Sequence, residues 1–302
     1  MRRIFITGGT GFIGRALVKK LLAAPETSLI TCLTRSEEPV FFGDSRVEYL
    51  IGDIAEVEFP KAFYTDLIHA AADANDLLVP DAHKYYYSIV EGANRVFEWA
   101  NAQRVSNVLF VSSGVVKRDT VYGRAKRQSE MIASHLRVSP KIARLHSVVG
   151  EEMPMNGQYA LGKFIHQAVV NNEIRYWGGN SVRSYLYIED VADWLIAVLN
   201  KGHQNKSYDV GGTKPIHISD LAHLVGELAG VPVFKIEQEG ICNTYLPDAK
   251  KTMELLGVKE TISLEESIRR TLAHVRNTHL EQVTEPTPYH LFDSGSGLHS
   301  AR

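Results

Sequence analysis

The chain has 302 residues, 33 Lys and Arg against 35 Asp and Glu, a net charge of −2, and 44% apolar residues. These are the proportions of an ordinary globular protein with room for a large core, and they offer no basic field for nucleic acid or an anionic membrane surface. Cys32 and Cys242 lie far apart, which argues against a disulfide framework; with no leader pattern and no apolar run of spanning length, the expectation is a cytoplasmic protein.

Arg3-Ile4-Phe5-Ile6-Thr7 reads as a short strand and runs directly into Gly8-Gly9-Thr10-Gly11-Phe12-Ile13-Gly14. A helical pattern follows, with Ile13, Leu17, Val18, Leu21 and Leu22 on one side. Glycines at 8, 11 and 14 permit a tight turn, close approach of a pyrophosphate to the backbone, and tight packing of helix on strand. The N–H groups at the helix start then face phosphate. Gly8, Thr10, Gly11, Phe12, Ile13 and Gly14 are therefore expected to hold a dinucleotide.

A second strand, Leu29 to Leu33, ends at Thr34-Arg35-Ser36. An NAD site places a carboxylate at that point for the ribose hydroxyls. An arginine flanked by two hydroxyls suits a 2′-phosphate instead, so Thr34, Arg35 and Ser36 favour NADP(H), with NAD the alternative. A third strand, Val47 to Ile51, leads to Gly52-Asp53-Ile54, where Asp53 is placed to meet the adenine amino group beside Ile54. A fourth, Leu67-Ile68-His69, ends in Ala70, Ala71 and Ala72, small enough for a cofactor to lie against the backbone. His69 reads more readily as a satisfied structural histidine than as a catalytic one.

Tyr85 to Ala102 has the pattern of a long amphipathic helix, with Val90, Val96, Phe97 and Trp99 apolar. Next, the apolar run Val108 to Val111 ends in Ser112-Ser113-Gly114, with Tyr122-Gly123-Arg124-Ala125-Lys126 close behind. Tyr122 and Lys126 are four apart and share one helix face. A free tyrosine has a pKa of about 10, and a neighbouring ammonium favours its phenolate. Asp119 or Thr120 can cap this helix, placing Tyr122 in the first turn, where the macrodipole acts in the same sense. Ser113 can donate a hydrogen bond to the same substrate oxygen. Further helices are expected over 162–171, 190–200, 219–229 and 263–276, with a mobile tail from about Glu281 marked by Pro286, Pro288 and Ser294-Gly295-Ser296-Gly297. Alternating strand and helix patterns predict an α/β fold with a parallel sheet covered on both faces, and ligands at the carboxyl ends of its strands.

These segments together resemble the extended short-chain dehydrogenase/reductases, the superfamily of nucleotide-sugar epimerases, dehydratases and reductases. The likeness extends to Arg144-Leu145-His146-Ser147-Val148-Val149-Gly150, to Arg183 through Val191, to Tyr208-Asp209-Val210-Gly211-Gly212, and to Asp248, Lys251 and Leu256-Gly257. It implies a Rossmann-type doubly wound domain over 1–150, rejoined by 185–210, with a smaller discontinuous substrate lobe from 151–184 and 211–278, ahead of a tail at 279–302. It also implies Tyr122 as general acid/base, Lys126 on the nicotinamide ribose, Ser113 polarising the reacting oxygen and His146 beside the cofactor. Arg183 pairs with a substrate diphosphate, Trp177 and Tyr176 flank base or sugar, Asp248 contacts substrate, and a homodimer forms through the helix over 85–102 and the one bearing Tyr122.

Three departures stand out. Ser113 and Tyr122 are nine positions apart, a shorter connection than in typical epimerases. The family's Asn-Val-x-Gly-Thr becomes Ile89-Val90-Glu91-Gly92-Ala93, and the Asp-Glu pair of 4,6-dehydratases is replaced by Gly114-Val115. The expected activity is an NADPH-dependent reductase of a nucleoside-diphosphate 4-keto-6-deoxysugar. An NAD-dependent nucleotide-sugar 4-epimerase and a non-catalytic NADP-binding sensor are the alternatives. Neither metal, nucleic acid nor membrane is expected as a partner.

Overall fold

Strand β1 (Arg2–Thr7) shows how the sheet is built. Its side chains alternate, so Ile4 and Ile6 enter one apolar layer while Phe5 enters the other. All three are fully buried, as a strand covered on both faces requires. The computed structural model describes residues 1–37, 42–72, 81–135, 137, 139–155, 159–237 and 242–283.

In chain order, β1 is followed by α1 (Phe12–Leu22), β2 (Thr27–Thr34), β3 (Val47–Ile51), β4 (Asp66–His69), α2 (Ala82–Ala102), β5 (Asn107–Ser113), α3 (Val121–Ser134) and β6 (Lys141–Leu145). Then come β7 (Val148–Val149), α4 (Ala160–Val170), β8 (Ile174–Tyr176), β9 (Val182–Arg183), β10 (Leu186–Tyr187), α5 (Ile188–Lys201) and β11 (Ser207–Val210). The last elements are β12 (Ile216–His217), α6 (Ile218–Ala229), β13 (Val233–Lys235), β14 (Thr244–Tyr245), α7 (Ala249–Leu256) and α8 (Leu264–Val283).

Seven strands form one parallel sheet in the order β3-β2-β1-β4-β5-β6-β11. The alternation of β1 repeats along β5, where Leu109 and Val111 face one layer and Val108 and Phe110 the other. The first layer is filled by Leu17, Val18 and Leu21 of α1 and by Trp194, Leu195 and Val198 of α5. Val96, Phe97 and Trp99 of α2 fill the second. The order in which strands are added reverses between the parallel neighbours β1 and β4, whose partners Thr7 and His69 sit side by side where the two strands end. A crevice opens at such a switch point, and here it holds the site.

A third apolar cluster lies outside the sheet. Leu161, Phe164 and Ile165 of α4, Leu221 and Val225 of α6, and Ile268 and Leu272 of α8 pack there with Tyr176. Short strand pairs cap it: β8 with β13, and β9 between β12 and β14. Asp190, in the first turn of α5, accepts hydrogen bonds from the Thr261 and Ile262 backbone N–H groups and from the Thr261 hydroxyl, tying the approach to α8 against the sheet.

Periodicity located five of the later helices but missed α7, an eight-residue helix ended by Gly257 in the left-handed region at φ 68°. So short a helix spans barely two turns, too few for a 3.6-residue repeat to register. The structure also carries α8 through Val283, past the point where a tail was expected to begin. The rest of that tail, 284–302, lies outside the described residues. Among the described residues no helix is long and apolar enough to cross a membrane.

Trp194 joins the two parts of the molecule. It is fully buried in the first layer, and its indole N–H donates to the Lys259 carbonyl at 3.0 Å. Replacing it with alanine opens a large cavity and orphans that carbonyl; Trp194→Ala is expected to lose about 3–5 kcal/mol in urea unfolding, with the slope unchanged.

Candidate active site

The crevice at the strand ends is a cleft of about 1140 Å³ lined from both sides. Its floor begins at the glycine turn. Gly8 has φ 75°, and a Cβ there would sit 2.8 Å from the Ala71 backbone nitrogen. A Cβ on Gly14 would sit 2.0 Å from the Gly8 carbonyl oxygen, so both positions exclude a side chain. Gly11 caps α1 without any side-chain hydrogen bond, leaving the first N–H groups of the helix open to the cleft. Thr10, Phe12 and Ile13 line the same wall, opposite Ala70, Ala71 and Ala72. This cradle fits the pyrophosphate of a dinucleotide: it offers donors, no acid and no Cβ in the way.

At the end of β2, the Thr10 hydroxyl donates to Thr34 Oγ1 at 3.0 Å, and the Ser36 backbone N–H donates to the same oxygen at 3.2 Å. Arg35 is exposed between them, and all three line the cleft. Asp53 and Ile54 follow β3; the Asp53 carboxylate accepts the Ala55 N–H at 2.8 Å and caps the turn. The His69 ring is buried, bonded through Nδ1 to the Thr7 hydroxyl at 2.7 Å and stacked on Phe110 at 5.4 Å. Burial, with Lys126 adding to it, lowers its pKa to about 3, so it stands neutral and satisfied.

Ser113 ends β5 and starts a 3₁₀ turn, Gly114–Lys117. Its hydroxyl donates to the Leu145 carbonyl at 3.5 Å and accepts from the Val115 N–H at 3.4 Å, both long bonds that a ligand oxygen can displace. Of the two possible caps for α3, Thr120 is the one used: its hydroxyl accepts the Gly123 N–H at 3.0 Å, while Asp119 pairs with Arg124. Tyr122 therefore lies in the first turn, facing the cleft with Ser113.

One turn on, Lys126 is only 2% exposed. Its ammonium donates to the Val111 carbonyl at 3.0 Å and stands 5.8 Å from the Tyr122 ring centroid. Burial lowers its pKa to about 7, against an opposing pull from Glu130. That carboxylate is fixed by Arg144 at 2.7 and 3.1 Å and by the Ser112 hydroxyl at 2.6 Å.

The far wall comes from the smaller lobe. Arg183 donates to the Val182 and Asn243 carbonyls at 2.8 and 3.0 Å and has no carboxylate partner among the described residues. Trp177 lines the cleft at 40% exposure, with the Lys163 ammonium 3.6 Å from its ring centroid. Two sequence expectations need correction. Tyr176 does not flank the cleft: on the three-residue strand β8 it alternates away from Trp177 into the lobe core. Asp248 does not line the cleft either; it is exposed at the start of α7, where its backbone N–H is held by Asp209 at 2.9 Å.

Sequence reasoning passed over Arg118 and Tyr245, which both line the cleft. The Arg118 guanidinium lies 4.6 Å from the Tyr245 ring centroid, and His146 stacks on that ring at 4.6 Å. A basic residue inside the short Ser113–Tyr122 connection was the available signal for Arg118. Nothing local marks Tyr245.

Comparison with known proteins accords with this geometry. The NAD dependent epimerase/dehydratase family model matches residues 4–211. A UDP-glucuronic acid decarboxylase of Arabidopsis thaliana is 25% identical, covering 98% of this chain and 72% of the relative. Among solved structures, UDP-glucose 4-epimerase of Thermotoga maritima with UDP-glucose superposes with a TM-score of 0.78 at 22% identity, over 92% of this chain and 99% of that one. A dTDP-glucose 4,6-dehydratase of Streptomyces venezuelae with NAD bound gives 0.80 at 20% identity, over 92% and 98%. The chain thus belongs to the NAD-dependent epimerase/dehydratase family and is an NAD(P)-dependent enzyme of the extended short-chain dehydrogenase/reductase type.

Proposed function

We propose that the protein is an NADPH-dependent reductase acting on the ketone of a nucleoside-diphosphate 4-keto-6-deoxysugar. The observation that carries the reading is the convergence of Ser113, Tyr122 and buried Lys126 on one cleft whose lining at the end of β2 is Thr34, Arg35 and Ser36. Gly114 and Val115 after Ser113 supply no carboxylate for elimination, which speaks against dehydration.

The open N–H groups of α1 would hold the pyrophosphate, and Arg35 and Ser36 a 2′-phosphate. When bound, the dinucleotide supplies the hydride. Tyr122 gives its hydroxyl proton to the ketone oxygen, and Ser113 donates a second hydrogen bond to that oxygen as charge develops on it. Lys126 holds the nicotinamide ribose and keeps a positive charge beside the phenol. Arg183 holds the substrate diphosphate, with Trp177 against base or sugar. His146 lines the same wall, and Asp53 reaches the adenine. A homodimer through α2 and α3, which pack together and carry exposed Tyr87 and Met131, and a cytoplasmic setting complete the proposal.

Screening 4-keto-6-deoxysugars on dTDP, CDP, GDP and UDP for loss of NADPH absorbance tests the assignment. Tightly held, copurifying NAD would favour a nucleotide-sugar 4-epimerase instead. On a confirmed substrate, Tyr122→Phe should lower kcat by roughly 10²–10⁴-fold while NADPH binding persists; unchanged turnover rejects the mechanism. Arg35→Glu should weaken NADPH by about 10- to 100-fold, measured by fluorescence titration, and leave NADH nearly unaffected.

Lys126 also makes a pH prediction. Below about pH 7 it is charged in folded and unfolded states alike, and folding must bury that charge. Between about 7 and the model-compound value of 10.5 the unfolded chain binds the extra proton, so stability rises with pH in that window. Lys126→Met removes this rise. Relative to the native protein, without cofactor, the variant should be more stable at pH 6 than at pH 9 by roughly 2–3 kcal/mol. Equal differences in urea melts at the two pH values would contradict the buried-ammonium assignment.

A further inference from the structure

Tyr245 carries a hydroxyl that hydride transfer to a ketone does not itself require. It comes from the smaller lobe: β14 runs parallel to β9, with Tyr245 paired opposite Arg183, and the side chain lines the cleft. The ring is held from several directions. His146 stacks on it with centroids 4.6 Å apart and planes at 28°. The Arg118 guanidinium stands 4.6 Å from the same centroid, and that of Arg183 stands 5.9 Å away. The His146 ring is in turn seated by glycine, since a Cβ at 114 would lie 2.3 Å from its Cε1. A phenol clamped in this way sets its hydroxyl at one place.

That place is beside Ser113. The Tyr245 hydroxyl donates to the Leu145 carbonyl at 3.4 Å, and the Ser113 hydroxyl donates to the same oxygen at 3.5 Å. A carbonyl oxygen has two lone pairs and can take both. Leu145 and Ser113 are register partners on β6 and β5, so the shared acceptor is fixed to the sheet. Burial raises the Tyr245 pKa, with Ser113 and the two arginines opposing, and the phenol keeps its proton as a standing donor. The Ser113 hydroxyl has one proton and two uses for it. In the resting site it goes to Leu145, and polarising a ketone oxygen requires it to turn away. Leaving a buried acceptor bare is costly, whereas an acceptor that keeps a second donor stays satisfied.

We propose that Tyr245 is a positioning residue for the reduction: its hydroxyl keeps the Leu145 carbonyl bonded while the Ser113 hydroxyl turns to the substrate ketone. The proposal rests on the ketone-reduction reading. Tyr245 gives up no proton and does not meet the reacting carbon; Tyr122 remains the proton donor. Its effect passes through Ser113, whose bond to the ketone oxygen strengthens as charge develops there. The two hydroxyls act as one unit, so losing the second matters only where the first is present. The lobe that binds the far end of the substrate thereby supplies a group that readies the serine on the sheet.

The test uses whichever of the four nucleoside-diphosphate 4-keto-6-deoxyglucoses (dTDP, CDP, GDP, UDP) the native enzyme reduces with NADPH. Tyr245→Phe keeps the ring and its contacts with His146 and both guanidinium groups, and removes only the hydroxyl. It should lower kcat by roughly 3- to 10-fold, with the KM for the sugar and the NADPH affinity within about twofold of native. Adding Tyr245→Phe to Ser113→Ala should cost less than about 1.5-fold beyond Ser113→Ala alone. Tyr245→p-aminophenylalanine, which returns a donor to the same place, should recover at least about half of native kcat. Should Tyr245→Phe fail to unfold cooperatively in urea, the near-isosteric Tyr245→p-fluorophenylalanine takes its place. A loss under about threefold, an equal loss in the Ser113→Ala background, or no recovery with the amino donor overturns this role and leaves the reductase standing. If none of the four sugars oxidises NADPH, the reductase reading falls and this role with it.

Discussion

The site depends on one buried ammonium. Lys126 is taken almost wholly out of water, a displacement that is unfavourable unless hydrogen bonds and nearby charge offset it. The offset here is spread over three groups on two elements: the Val111 carbonyl on β5, the Phe110 face 4.9 Å away on the same strand, and Glu130 one turn along α3. Glu130 is itself gripped by Arg144 of β6 and Ser112 of β5. The ammonium is satisfied only with α3 at one height and one rotation over the sheet. That single placement is also the one that brings Tyr122 to Ser113.

Sheet geometry supplies the other half of the constraint. Parity along β1, β4 and β5 sends alternate residues to opposite apolar layers, which fixes the register of each strand against its neighbours. With Thr7 beside His69 and His69 beside Phe110, β1 and β4 end level and β5 runs on beyond them to Ser113. The glycine turn, the alanines after β4 and the Ser113 hydroxyl consequently open on the same crevice. Gly8 and Gly14 are then required by steric contact rather than by flexibility, because the turn and the 70–71 backbone pass within van der Waals reach of each other.

What could be read before the fold was known follows from this local character. The glycine turn, the Tyr122–Lys126 spacing and the strand-end alanines are contained in stretches of at most eight residues, and each has a physical meaning in isolation. The cap of α3 needed coordinates to choose between Asp119 and Thr120, since both side chains suit the position and only the turn geometry separates them. Trp177 and Tyr176 were inseparable in sequence, yet a strand sends neighbours to opposite faces, and one is in the cleft while the other is in the core. Asp248 lies outside the cleft lining, at the start of α7, with its backbone N–H bonded to Asp209 of β11. The cluster of Arg118, His146, Asp209 and Tyr245 joins four segments spread over more than a hundred positions, and no periodicity or spacing encodes such a meeting.

The short connection between Ser113 and Tyr122 explains why that cluster exists. A 3₁₀ turn replaces a longer loop, so α3 begins almost as soon as β5 ends, and the space above Ser113 is left for other segments to fill. β14 fills it with Tyr245, sandwiched between the His146 ring and the Arg118 guanidinium, while Arg118 also donates to Asn243 and Thr244 at 3.3 Å. The segment between Ser113 and Tyr122 is therefore bonded directly to the smaller lobe through a side chain of its own. Ser113 and Tyr122 are held between the sheet below and β14 above, and Arg183 bonds to the backbone carbonyl of the Asn243 whose side chain Arg118 holds. Both arginines are thus attached to the segment that leads into β14, and Arg118 joins it to the connection between Ser113 and Tyr122.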